Sequence, residues 1–487
     1  MKKIYLVPLI FGALVLAQTS PESDKSVSLS KVERKNKAPV SQELIKVKLP
    51  RPVEAKLDNG LTVLILENHK LPYVSMELVI DGAGPISEPA GQTGLASATA
   101  ALMTQGTKSR SSLQIAEQTD RFGAALRVSS MFGGNTALIS ASGLSETMDK
   151  WFPLFVDVLL NPSFPEKELK NYQQRSLVDL KRQRSSPGFL ASERFNRAVY
   201  GKFPASVISA TPEFLQSMTP AMLASWHTEH YVPQNAIIGI AGDVKPAEMI
   251  ALLKKSLADW KRNSFESKLP ESAVPAAHKQ IYLVNRPDSV QTNIMIGNIA
   301  MKRNNPDYTA LRVANQILGE GPASRLFIKL REEKGYTYHV GSSLHALLFA
   351  GPWTASSEVR TEVTGGSMAE FFNELNRLCT EKAPANELAD AKRTIIATFA
   401  LSLESPSELL TNAIEIKRYG LPADYWDTYP TKISAITADD VMRVAKKYIN
   451  PENAQIVVVG DASKIKAVME KYGPVAMYDT EGKEMTP

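Results

Sequence analysis

Met148-Asp-Lys-Trp-Phe-Pro-Leu-Phe155 and Met368-Ala-Glu-Phe-Phe-Asn-Glu-Leu375 carry the same apolar spacing. Large apolar residues fall at i, i+3, i+4 and i+7 in both: Met148, Trp151, Phe152 and Phe155, then Met368, Phe371, Phe372 and Leu375. At the helical repeat, those four side chains share one face. One such match means little, because amphipathic helices resemble one another. Here the match continues. Glu168-Leu169 recurs as Glu387-Leu388, Tyr200-Gly201 as Tyr419-Gly420, Asn235-Ala236 as Asn453-Ala454, and Gly242-Asp243 as Gly460-Asp461. The offset runs only from 220 (148 to 368) to 218 (242 to 460). A colinear series of that kind predicts two copies of one domain.

The last two matched pairs of each copy enclose an apolar run, Ile237-Ile-Gly-Ile240 and Ile456-Val-Val-Val459, which reads as a buried strand. Near the start, Leu57-Asp-Asn-Gly60 signals a turn before a strand over 61–67, and 73–81 reads as the next strand. Strands come early and late in each copy, with long helices between them. The fold class is therefore α+β, with each copy a mixed β-sheet packed with helices. The first domain is placed at 54–262 and the second at 280–474. A polar, proline-containing linker (263–279) joins them, and a short tail (475–487) follows.

Lys2 and Lys3 precede an apolar run from Ile4 to Ala17, and Val15-Leu16-Ala17 suits signal cleavage. Residues 1–17 are read as an export signal and 18–53 as a polar leader, so a periplasmic or otherwise exported location is expected. The run is too short to span a bilayer comfortably, and nothing else approaches ~20 consecutive apolar residues, so no membrane span is expected after cleavage. Cys379 is the sole cysteine, which excludes intrachain disulfides, cysteine-based zinc sites and a lipid anchor near the cut. The net charge of +5 is small for 487 residues, and several of the cations lie in the first 40, so no nucleic-acid partner is expected.

Gly94-Leu-Ala-Ser97-Ala-Thr-Ala100-Ala101-Leu-Met-Thr-Gln-Gly106-Thr107 resembles the signature of the insulinase/pitrilysin family of zinc metallopeptidases, the inverzincins. In active members the helix after Gly-x-Ala carries H-x-x-E-H, and a Gly-Thr follows. Two histidines one helical turn apart can bind one Zn²⁺, and the intervening glutamate serves as general base. Here those positions hold Ser97, Ala100 and Ala101. A methyl group cannot ligate a metal, and a neutral hydroxyl is a poor zinc ligand. The resemblance implies a third ligand, a glutamate on a later helix, between Tyr172 and Arg184. Asp179 is the only acid in that stretch. No metal is expected in this chain.

A second resemblance to the same family lies in Gly319-Glu-Gly321-Pro-Ala-Ser324-Arg325-Leu326, followed by a helix that carries Arg331 and then, seven residues on, Tyr338. In active members an arginine and a tyrosine at these positions hold the substrate backbone and stabilise the developing oxyanion. The resemblance assigns those roles to Arg331 and Tyr338. A guanidinium offers fixed-geometry donors to carbonyls, and a phenol donates one hydrogen bond worth ~3 kcal/mol by analogy with other oxyanion donors.

The metal half of the site is erased while the substrate clamp survives. That pattern resembles two-chain members of the family, related to mitochondrial processing peptidase, in which one subunit carries zinc and the other the Arg/Tyr pair. The resemblance implies half of a clam-shell, a homologous H-x-x-E-H partner that holds the zinc, and unfolded peptide substrates paired to a strand edge. An alternative is a purely structural or binding protein, similar to the core subunits of the respiratory bc1 complex, which keep this fold without zinc. A hydrolase with an unrelated site is a third reading, but no nucleophile elbow or paired carboxylate cluster supports it. His227-Thr-Glu-His230 has metal-like spacing but is expected to be a solvated helix end, and His69, His278, His339 and His345 show no ligand spacing.

Overall fold

The computed structural model describes residues 45–485. The expected export signal at 1–17 and leader residues 18–44 lie outside the described residues. The first half runs β1 (Val53–Lys56), β2 (Thr62–Glu67), β3 (Tyr73–Asp81), α1 (Leu95–Met103), α2 (Ser112–Arg121), β4 (Ala125–Ser129) and β5 (Thr136–Leu144). It continues with α3 (Met148–Leu160), α4 (Glu166–Arg184), α5 (Pro187–Tyr200), α6 (Pro212–Ser217), α7 (Pro220–His230), β6 (Ala236–Gly242) and α8 (Pro246–Ser256).

The second half repeats this plan. It opens with β7 (Gln280–Asn285), β8 (Gln291–Met301) and α9 (Tyr308–Gly319), then a π-helical segment at Phe327–Glu333. Next come β9 (Val340–Leu344), β10 (Gly351–Arg360), α10 (Thr364–Thr380), α11 (Ala385–Ser402), α12 (Pro406–Tyr419), α13 (Tyr425–Ala435) and α14 (Ala438–Tyr448). It closes with β11 (Gln455–Gly460), α15 (Ala462–Met469), β12 (Val475–Tyr478) and β13 (Glu484–Met485).

The two sheets share one topology. The order β2-β6-β3-β5-β4 in the first recurs as β7-β11-β8-β10-β9 in the second. In each, the late strand inserts beside the first: β6 runs parallel to β2 and antiparallel to β3, as β11 does to β7 and β8. The fold is α+β with two copies of one mixed-sheet unit. The repeated Tyr-Gly pairs mark the ends of α5 and α12, where Gly201 (φ 55°) and Gly420 (φ 61°) both take the positive φ that glycine tolerates, Gly420 in the left-handed conformation that closes a helix. Helix starts follow a local rule as well. Ser186, Thr211 and Thr219 each precede a proline at N1, and their hydroxyls accept the amide hydrogens of Phe189, Phe214 and Met222.

The halves exchange a helix. α5 lies on the second sheet, where Leu190, Phe195 and Val199 pack with Val284, Ile299, Val457 and Val459. In return α12 covers the first sheet, where Leu410 and Ile414 pack with Leu64, Leu66, Val79 and Ala241. Strand β2 is thus buried on both faces, since Val63 and Ile65 point into the first half's own core. Burial on both faces explains why β2 is an unbroken apolar run rather than an alternating one. Each fully buried Leu or Ile of these exchanged helices contributes about 1.5–3 kcal/mol.

Two edges differ from expectation. Residues 475–478, assigned to a tail, form β12, which pairs parallel to β7 and carries β13 beyond it. Four residues are too few to show a strand's periodicity, and the pairing is supplied by the neighbouring strand. The end of the leader is also anchored: Leu49 is buried, its amide donates to Asp427 Oδ1 of α13 (3.0 Å), and Arg51 pairs with the same carboxylate. Among the described residues no helix is long and apolar enough to cross a membrane.

Candidate functional site

Helix α1 is built by the residues around the degenerate motif. Gly94, its N-cap, has φ 104°, and a Cβ there would lie 2.7 Å from the Ala210 methyl, so only glycine fits. Glu88, six residues earlier, turns its carboxylate onto the helix start and accepts the amides of Gly94 (3.0 and 3.1 Å) and Ala96 (2.8 Å). A carboxylate at a helix N-terminus satisfies orphan donors and complements the dipole. Burial pushes the Glu88 carboxyl up to about 7, and the two backbone donors pull the other way. At the far end, Gly106 has φ 152°, and Thr107 donates to Asp157 Oδ2 (2.6 Å), which also takes Ser109 (2.9 Å) and Arg110 (2.5 Å). Hydrogen bonds from Thr107, Ser109, Arg110 and Asn161 outweigh burial and lower the Asp157 carboxyl. The retained Gly94 and Gly106-Thr107 frame is therefore explained by architecture.

The motif positions themselves hold no metal chemistry. Ser97 Oγ donates to the Ser130 carbonyl (2.7 Å), tying α1 to the β4–β5 connection. Ala100 is fully buried, and Ala101 is exposed. Asp179, the acid of the stretch expected to hold the third ligand, is exposed on α4 and paired with Arg182 at 3.1 Å. Among the described residues no group of three or more His, Cys, Asp or Glu side chains could hold a metal ion. The zinc that this fold family implies does not fit the residues present.

Arg331 and Tyr338 are brought together. The guanidinium carbon of Arg331 lies 4.8 Å from the Tyr338 ring centroid and 4.7 Å from that of Phe327. Tyr338 is 84% exposed. The segment expected to be an ordinary helix is π-helical, with the Lys334 amide reaching back five residues to the Lys329 carbonyl (3.1 Å). Gly335, with φ 59°, turns the chain out of it. The loop that presents Tyr338 is then tied down twice: Arg360 Nη1 donates to the Gly335 carbonyl (3.1 Å), and Thr337 Oγ1 to the Glu358 carbonyl (2.6 Å). The preceding Ser324-Arg325 is structural. Arg325 is buried and makes a two-pronged pair with Glu387 (2.8 and 2.7 Å). Glu88, Asp157 and Phe327 were not among the expected site residues, and each became visible only through its spatial partner.

His227 and His230 do not form a solvated helix end. His230 is buried, stacks on Trp226 at 3.6 Å, and hydrogen-bonds the Gly82 carbonyl through Nδ1 (2.8 Å). His227 Nε2 bonds the Leu159 carbonyl (2.8 Å), and burial lowers its pKa to about 4. The two rings serve separate carbonyls, so the apparent motif is packing.

Two family descriptions match the chain: Insulinase (Peptidase family M16) over residues 62–210, and Peptidase M16 inactive domain over residues 217–395. The chain belongs to the insulinase family, as a member without the catalytic zinc site. The second description starts at the end of α6, beyond helix α1, so loss of the site in the first half rests on Ser97, Ala100 and Ala101. The chain is 25% identical over 413 residues to an uncharacterized zinc protease of Rickettsia felis, covering 83% of this chain and 96% of that protein. It is 21% identical over 409 residues to the "Non-peptidase homolog YmxG" of Helicobacter pylori, covering 83% and 93%. A peptidase M16 inactive domain structure from Pseudomonas fluorescens superposes with a TM-score of 0.79 at 24% identity, covering 85% of this chain and 98% of that one.

Proposed function

We propose that this chain is the non-catalytic, substrate-binding subunit of an exported heterodimeric zinc metallopeptidase that degrades unfolded peptides. The observation that carries the reading is the split between the two halves. Helix α1 keeps its frame but offers a hydroxyl and two methyls where a metal would need ligands. Arg331 and the exposed Tyr338 stand together, and the guanidinium has no hydrogen-bonded partner among the described residues. A homologous partner bearing H-x-x-E-H would hold the zinc, and Arg331 would donate to peptide carbonyls while Tyr338 donates to an oxygen gaining charge. The name of the Helicobacter relative, a non-peptidase homolog, supports a role without catalysis in this chain. The same name also suits the alternative, a purely structural or binding protein of this fold, for which the Arg/Tyr pair would have no use.

The test is reconstitution. The chain alone should cleave no peptide. Mixed with an exported H-x-x-E-H homologue from the same source, it should confer activity, and Arg331→Ala or Tyr338→Phe should lower kcat by about a hundredfold. Full activity of the reconstituted pair with either substitution would overturn the site assignment and leave the structural reading.

A further inference from the structure

Phe327 sits one turn before Arg331 in the π-helical segment and is itself packed against the second half's core. The guanidinium lies between its ring (4.7 Å) and that of Tyr338 (4.8 Å). No hydrogen bond from this guanidinium reaches another described residue; its nearest carboxylate oxygen, on the adjacent Glu332, is 3.6 Å away. Arg325, six residues earlier, is held in the opposite way, with Nε and Nη2 both committed to Glu387. An arginine held edge-on spends its in-plane donors. One held by ring faces keeps them for a ligand.

We propose that Phe327 is the positioning residue for the substrate clamp, an inference that rests on the substrate-contact reading of Arg331 and Tyr338. The core fixes the Phe327 ring, that ring orients the guanidinium by cation–π contact, and the guanidinium in turn supports the otherwise exposed Tyr338 ring. All five N–H donors of Arg331 stay available to peptide carbonyl oxygens. The turn that carries both residues is π-helical, a rare form that is frequent at functional sites. A leucine at 327 would fill similar space without a π face, and a tyrosine would restore one.

The test separates orientation from activity. In the full chain labelled with ¹⁵N-arginine, the Arg331 Nε–Hε resonance, assigned by its loss in Arg331→Lys, should lie upfield of free arginine because two rings flank it. Phe327→Leu should move it toward the free position, and Phe327→Tyr should restore it. In the reconstituted enzyme, Phe327→Leu should lower kcat/KM roughly tenfold, Phe327→Tyr should recover it, and Phe327→Leu should add nothing to Arg331→Ala. A wild-type Arg331 resonance already at the free position overturns the inference without any variant at 327. So does a Phe327→Leu enzyme with unchanged resonance and kinetics. If the resonance responds to Phe327→Leu while Arg331→Ala leaves kinetics untouched, the orientation stands and the substrate-contact reading falls.

Discussion

Leu410 of the second half lies directly over Gly239 of the first: a Cβ on Gly239 would come within 2.5 Å of the leucine Cδ1 and 2.9 Å of Ile414 Cδ1. Helix α12 meets strand β6 at this point, and the meeting is one half of the helix exchange that joins the two copies. Polar contacts flank it. Arg418 pairs with Asp81 at 3.0 Å and Lys417 with Glu54 at 2.7 Å. The seam is therefore packed so closely that a single methyl must displace it. Gly239→Ala should destabilise the protein by about 1–3 kcal/mol, the usual cost of overpacking a buried site, and Gly239→Val by more. Urea unfolding followed by tryptophan fluorescence would read it. A midpoint unchanged in Gly239→Val would show that α12 sits on the sheet more loosely than these distances say.

The exchange also bears on whether each half folds alone. Without α5, β7, β8 and β11 lose the helix over one face; without α12, β2 and β6 do. Residues 45–262 expressed alone should bind the dye ANS and unfold with low cooperativity, and adding residues 263–487 should restore a single sharp transition. A cooperative, dye-silent first half on its own would refute the interdependence.

Ser97 and Ala101 lie one turn apart on α1, partly exposed and exposed, with the helix frame around them intact. Two histidines at those positions would share a face. The wild-type chain should carry no stoichiometric zinc. The double substitution Ser97→His with Ala101→His should bind it with micromolar affinity by isothermal titration, since two ligands without a third give a weak site and Asp179 is paired with Arg182. It should still cleave nothing, because Ala100 supplies no base. One-to-one zinc in the unmodified chain would overturn the account of the site.

How far the residues disclosed this structure depends on the range of each interaction. The repeat was legible because helical faces such as Met148 to Phe155 repeat their apolar spacing within a few residues. The exchange was not, since the apolar face of α5 says that it is buried and not against which sheet. The unbroken apolar runs of β2 and β6 were the available signal, because strands open on one face alternate. Absence of ligands at 97, 100 and 101 could be read directly, as side-chain chemistry needs no geometry. The Glu88 cap escaped notice because it reaches from six residues outside the helix, beyond the usual capping positions. His227 and His230 were misplaced because their spacing carries no information about the Trp226 and Phe265 rings that enclose His230.

Glu88 gives stability a pH dependence of unusual sign. Its carboxyl is pushed up to about 7 in the fold, chiefly by burial, against 4.5 for an unperturbed group. The native state then binds this proton more tightly than the unfolded chain. Its contribution is full below about pH 4.5 and is lost as pH rises through about 7, amounting to at most about 3 kcal/mol. Glu88→Gln keeps an acceptor for the Gly94 and Ala96 amides while removing the titration. Going from pH 5 to pH 8, the change in urea midpoint should be more positive in the variant than in the wild type. An equal change in both would assign it to other groups.

His227 acts in the opposite direction. Burial is the main cause holding its imidazole near 4, against 6.5 when unperturbed, while its bond to the Leu159 carbonyl opposes the shift. The unfolded chain takes up this proton first, so the contribution is full above about pH 6.5 and is lost as pH falls through about 4, again at most about 3 kcal/mol. Between about pH 4.5 and 6.5 the Glu88 and His227 effects run against each other, which should leave the wild-type profile flatter there than either group alone would make it. His227→Gln removes one slope and leaves the other. Its urea midpoint should therefore climb steadily as pH is lowered from 7 to 5, whereas Glu88→Gln should decline over the same interval. Parallel profiles for the two variants would mean that at least one of these side chains does not titrate where its surroundings place it.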